Sequence, residues 1–118
     1  EAQKALKQGV LLYNQGSRPG QDGITYILGH SAPNGWPDIY YDNIFNDINL
    51  LKTGDMIDVF YENRKYTYVV FNQKIFYPVD EDKILYIEER GKYLVLITCW
   101  PKGSSLKRLA VFAELINK

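Results

Sequence analysis

The spacing of apolar positions changes along the chain, and each change marks an element. In Glu1–Gly9, Ala2, Ala5 and Leu6 share one helical face and Gly9 suits the left-handed position after a last turn, which predicts the end of a helix. Val10–Tyr13 is a short apolar run that begins a strand. Gly and Pro interrupt the pattern in NQGSRPGQDG, residues 14–23, which reads as a loop. Ile24–Gly29 is apolar and β-prone, a strand that delivers His30 to its end. The loop SAPNGWPD follows, stiffened by Pro33 and Pro37. Apolar residues then recur at helical spacing, at Tyr40, Ile44, Phe45, Ile48 and Leu51. That predicts a surface helix over Ile39–Leu51, ended by Lys52-Thr53-Gly54-Asp55.

The remainder reads as β. Met56–Tyr61 is a strand, Glu62–Lys65 a hairpin turn and Tyr66–Phe71 the return strand. Lys74–Tyr77 and Ile84–Ile87 read as shorter strands flanking Pro78–Asp82, a segment with room for a helical turn. Glu88–Lys92 is a turn. Tyr93–Cys99 is apolar without alternation, so both of its faces are expected in the core. After the loop Pro101–Ser105, Lys107–Ile116 is the last strand. The fold class is therefore mainly β, a small β-barrel with one or two short helices, in a single domain over residues 1–118.

Composition narrows the function. With 46% hydrophobic and 24% charged residues, the chain is an ordinary globular sequence. Its 14 basic and 14 acidic side chains cancel, which argues against nucleic-acid binding, because phosphate neutralisation needs surplus Lys and Arg. No apolar run reaches the roughly 20 residues of a membrane span, and no signal peptide is recognisable. The first residue is Glu, as expected of a trimmed product or an expressed piece. One Cys and one His exclude an internal disulfide and a structural zinc site. Thiol or imidazole chemistry must use Cys99 or His30.

Cys99 closes the strand YLVLITC just before a Pro/Gly loop, where the sheet fixes the backbone and a cleft can receive the sulfur. The plain alternative is a buried structural thiol. His30 also ends a strand and enters a loop; a lone His is more often a surface or packing residue. Arg108, nine positions after Cys99, is placed to donate hydrogen bonds to an oxyanion, or else is an exposed strand-end Arg.

Together, Ile97-Thr98-Cys99 followed by Pro101, Gly103 and Arg108 resemble the signature of the sortases, in which a TLxTC strand carries the nucleophile and an Arg on the next strand completes the site. TCWPKGSSLKR is most similar to the subfamilies reading TCxPxG, of the class B, C and D type. Gly9-Val10, the Pro19-Gly20 loop, ITYILGHS, LLKTGDMIDV, YTYVV and YPVDEDKIL follow in the family's order, so the resemblance covers essentially the whole chain. It implies a sortase-like barrel with His30, Cys99 and Arg108 as the catalytic set. Leu28, Val95, Ile97 and Ala110 match positions lining the family's substrate groove, although each could equally be barrel core. Thr98 matches the residue beside the nucleophile that helps position the peptide. Two departures stand out. The chain starts within the helix that two strands usually precede, so the barrel would lack its first strands and the membrane-anchoring segment. The loop before Arg108 also lacks the Asn and His of some subfamilies, which leaves the subclass open.

The resemblance implies a cysteine transpeptidase at the Gram-positive cell surface, membrane-anchored in its full-length form. Cys99 would attack the carbonyl after Thr in an LPxTG-like sorting signal, leaving a thioacyl enzyme. His30 would protonate the leaving amine and deprotonate the incoming one, from cell-wall precursor or a pilin Lys. An ordinary thiol is only about 3% ionised at pH 7, so a slow enzyme with a bell-shaped pH profile is expected. No cofactor and no metal are implied, and Asp80, Glu81 and Asp82 read as a solvated charge run. Two rivals remain: a cysteine peptidase that only hydrolyses, and a non-catalytic barrel binding peptide or glycan through its ten Tyr and an exposed Trp36 and Trp100.

Overall fold

The β-branched and aromatic runs form one sheet in the computed structural model, which describes residues 11–12, 16–29, 48–101 and 106–116. Its strands are β1 (Leu11–Leu12), β2 (Gly23–Leu28), β3 (Met56–Tyr61), β4 (Arg64–Phe76), β5 (Lys92–Trp100) and β6 (Lys107–Leu115). Two 3-10 turns, η1 (Ile48–Leu50) and η2 (Pro78–Asp80), and one short helix, α1 (Glu81–Ile84), complete the described elements. The strand order is β1-β2-β5-β6-β4-β3, and the sheet curls into a half-barrel. Among the described strands only β2 and β5 run parallel. Among the described residues no helix is long and apolar enough to cross a membrane.

β5 is central, and Tyr93 through Thr98 are all buried, as the unbroken apolar run predicts. Its side chains divide by the period of two between the sheet faces. Leu94 and Leu96 pack with Tyr68, Val70, Leu109 and Val111 on one face. Val95 and Ile97 pack with Phe76, Leu85, Ala110 and Phe112 on the other. Full burial of one such side chain is worth about 1.5–3 kcal/mol, so this strand anchors both layers. Trp100 falls in the first layer and is half-buried against that core, which corrects the expectation of an exposed recognition tryptophan.

Three expected boundaries change. Tyr66–Phe71 and Lys74–Tyr77 are not separate strands: β4 continues through both, paired with β6, and a register shift between Val70 and Asn72 absorbs the irregularity. Ile84–Ile87 is not a strand. Pro78 opens a 3-10 turn with φ suited to a first helical position, and α1 follows directly with Glu81 and Asp82 in its first turn. The β3–β4 hairpin closes on Glu62 and Asn63 alone, both at positive φ (49° and 64°), the geometry that two-residue hairpin turns need. Of the helix expected over Ile39–Leu51, only the end is described, as η1. The N-terminal helix, Ser31–Asp38 and Trp36 lie outside the described residues.

The loop over residues 16–22 is seated on the tyrosines of the first face. Gly20 has φ +84°, and a Cβ there would strike the Tyr66 ring. Its N–H donates to the Tyr68 hydroxyl at 3.0 Å, while Arg18 Nη1 donates to the Tyr61 hydroxyl at 2.6 Å. Burial pushes the Tyr68 phenol above its ordinary 10.0, against the opposing pull of the Gly20 N–H.

Candidate active site

Alternation along β5 puts Cys99 on the same face as Val95 and Ile97, and alternation along β6 puts Arg108 with Ala110 and Phe112. The antiparallel register sets Cys99 directly opposite Arg108, one step beyond the Trp100–Lys107 pair that closes the ladder. The spacing of nine residues is thus what a hairpin needs to bring the two side chains together. Arg108 Nη1 donates to Cys99 Sγ at 3.6 Å. Cys99 is half-buried and outside any disulfide.

Beside this pair the same face opens into a cleft of about 470 Å³, with Arg108 on its wall. Leu28 and Ile97, cross-strand partners on β2 and β5, line it. Val95 and Ala110 are completely buried among the second core layer, beneath the floor. Thr98 points to the opposite face, also buried, and its Oγ1 donates to the Gly29 carbonyl at 2.9 Å. The Gly29 N–H donates in turn to the Ile97 carbonyl at 3.1 Å. Both polar groups of the residue preceding His30 are therefore fixed to β5, one or two residues from Cys99. His30 itself lies outside the described residues.

Sequence reasoning missed the other wall. Tyr26, Glu81, Asp82, Leu85 and Tyr86 also line the cleft. Tyr26 was legible in principle, being two residues before Leu28 on one strand and so on the same face. The α1 residues were hidden by reading Ile84–Ile87 as a strand. The Tyr26 hydroxyl donates to the Leu85 carbonyl at 3.1 Å, tying the far wall to β2. Burial, helped by the Glu81 carboxylate, raises the Tyr26 phenol above 10.0. Glu81 and Asp82 face the cleft rather than forming only a solvated run. Among the described residues, no three or more His, Cys, Asp or Glu side chains are arranged to hold a metal ion.

An Arg hydrogen-bonded to a thiol beside a cleft of mixed polar and apolar lining is an arrangement that can serve acyl transfer. The family model described as Sortase domain matches residues 1–116. The chain belongs to the sortase family. Among solved sortase structures it is similar to Clostridium perfringens sortase C with the C-terminal cell wall sorting motif, at 28% identity and TM-score 0.78 over 98% of this chain and 60% of that one. Actinomyces oris sortase C-1 is similar at 24% identity and TM-score 0.81, covering 98% and 63% of the two chains. Streptococcus pneumoniae sortase C matches at 24% identity and TM-score 0.82, over 98% and 58%. The chain thus spans less than two thirds of these sortases' length. Comparison with curated proteins gives no match. Sortases as a family work outside the cytoplasm, at the cell surface.

Proposed function

We propose that residues 1–118 form a single catalytic domain of a cysteine transpeptidase that cleaves an LPxTG-like sorting signal and passes the acyl group to an amine. The observation that carries this reading is the hydrogen bond from Arg108 to Cys99 at 3.6 Å, with Arg108 also lining the neighbouring cleft. A guanidinium in that position is ready for charge that develops on the substrate carbonyl oxygen when sulfur attacks the adjacent carbon. The Clostridium perfringens relative, solved with the C-terminal cell wall sorting motif, supports a peptide as the cleft's occupant.

In this mechanism the Cys99 thiolate adds to the carbonyl carbon after Thr. The tetrahedral adduct collapses as His30 gives a proton to the departing amine, leaving a thioester on Cys99. An incoming amine gives its proton to His30, attacks the thioester and releases the thiolate. We assign Leu28 and Ile97 to the apolar side of the bound motif, and Thr98 to positioning through Gly29. Val95 and Ala110 act on the groove by supporting its floor. The natural acceptor is an amine of cell-wall precursor or a pilin Lys, and the whole protein is membrane-anchored at a Gram-positive cell surface.

The test is ligation. The protein is incubated with a fluorescent LPxTG peptide and an excess of an amine such as triglycine. A product joined to triglycine supports transpeptidation, hydrolysed peptide alone makes the protein a peptidase, and unchanged peptide overturns the reading.

A further inference from the structure

At its far end the cleft beside Arg108 meets the Tyr26 side chain, whose hydroxyl donates to the Leu85 carbonyl. Tyr26 also lines a second hollow of about 880 Å³ at the opposite end of β2 and β5, bounded by Gly16, Asp22, Glu89, Arg90, Gly91 and Tyr93. The two hollows share one face of the sheet: Leu28, Tyr26 and Ile24 follow one another along β2, as Ile97, Val95 and Tyr93 do along β5. Glycines bound the second hollow where a larger residue has no room. A Cβ on Gly16 would come within 2.8 Å of the Tyr26 ring, and one on Gly91 within 2.8 Å of the Tyr93 ring.

Its reach can be estimated. A strand rises about 3.3 Å per residue, so Val95 lies roughly 13 Å and Tyr93 roughly 20 Å from Cys99 along β5. An extended peptide rises by a similar amount, so the four residues before the scissile bond extend to about the level of Val95 and Tyr26. The acyl portion of the substrate stays attached to Cys99 while the tail departs, so the part a cleft can retain is the acyl portion. Residues roughly five to seven before the scissile bond therefore arrive at the second hollow.

Charge gives the class of those residues. Beyond Arg108 the trough presents Glu81 and Asp82, then Glu89 and Asp22, against Arg90 alone. Among the described residues, none of Asp22, Glu89 and Arg90 is held in an ion pair. We infer that the trough reads the three residues preceding the sorting motif through its second hollow, and that it selects Lys or Arg there. This rests on the peptide reading of the cleft and extends it beyond the motif.

The experiment is a competition among three peptides of equal concentration. They share one LPxTG motif and carry three Lys, three Ser or three Glu immediately before it. Consumption reports the ratio of kcat/KM. The Lys peptide is expected to be consumed roughly three- to tenfold faster than the Ser peptide, the size that two or three exposed ion pairs give, and the Glu peptide more slowly. The ratio falls towards one in 0.5 M salt, where screening shortens to a few ångström, and in the Asp22→Asn/Glu89→Gln variant. Equal or reversed consumption overturns the inference alone, as does a Lys preference indifferent to both salt and the double variant. Cleavage of none of the three overturns the peptide reading beneath it.

Discussion

Arg108 donates from Nη1 to Cys99 Sγ across 3.6 Å, between residues that face each other on neighbouring antiparallel strands. Because both backbones belong to the ladder, the guanidinium needs no loop rearrangement to stand beside the sulfur. Arg108→Ala is expected to lower kcat/KM by about 10²–10³, the usual loss of a preorganised oxyanion donor. Arg108→Lys should recover little of it, since an ammonium lacks the planar fork. Peptide-cleavage kinetics measure the loss, and a thermal melt close to wild type shows that it is not a folding effect.

Thr98 is expected to act at a distance from the reaction. Its hydroxyl holds the Gly29 carbonyl at 2.9 Å, immediately before His30. Thr98→Val keeps the shape and removes the donor, leaving a carbonyl without that partner, at a cost of about 0.5–1.5 kcal/mol in denaturant titration. A positioning role predicts that kcat falls while KM changes little, and that Thr98→Ser restores kcat. Equal losses in Ser and Val variants would reduce Thr98 to packing.

The β3–β4 turn offers a gain in stability. Glu62 sits at φ 49°, a left-handed conformation that costs an ordinary side chain about 1–2 kcal/mol. Glu62→Asn places there a residue that tolerates this region, and should raise unfolding free energy by about 0.5–1 kcal/mol with catalysis unchanged. Urea titration and the peptide assay together check both halves of the statement.

Alkaline pH should destabilise the fold through its buried phenols. Burial raises Tyr26, with Glu81 adding to it, and burial likewise raises Tyr68 above 10.0. A phenol with a higher pKa in the folded chain than in the unfolded one holds its proton longer when folded. Its contribution is complete below pH 10 and is lost as pH rises from there through the folded-state value. The melting temperature should therefore decline from about pH 10 upward, and less steeply in Tyr26→Phe. A melting temperature that stays flat to pH 12 would contradict this.

Much of this site could be read in the sequence because the chemistry follows the period of a strand. The unbroken run Tyr93–Cys99 marks the central strand, and the interval from Cys99 to Arg108 is that of a hairpin pair. Leu28 and Ile97 line the cleft for the same reason. Where the reading went astray, tertiary context governs. Leu85 and Ile87 look like strand residues, yet they cover the second face from the irregular segment that follows α1. β4 passes Asn72 and Gln73 without ending because β6 continues to pair with it. Val95 and Ala110 share the face of the cleft but lie beneath it, a depth that alternation alone does not encode. The acidic wall of Glu81 and Asp82 needed the fold to bring α1 over β2.

The most direct measurement is the intact mass of the protein, quenched in acid after mixing with excess LPxTG peptide and no amine acceptor. A species heavier by the acyl fragment is expected, mapped to Cys99, removed by hydroxylamine and absent from Cys99→Ala. Peptide cleavage that leaves no adduct on the wild type, or that continues in Cys99→Ala, would contradict the proposed mechanism.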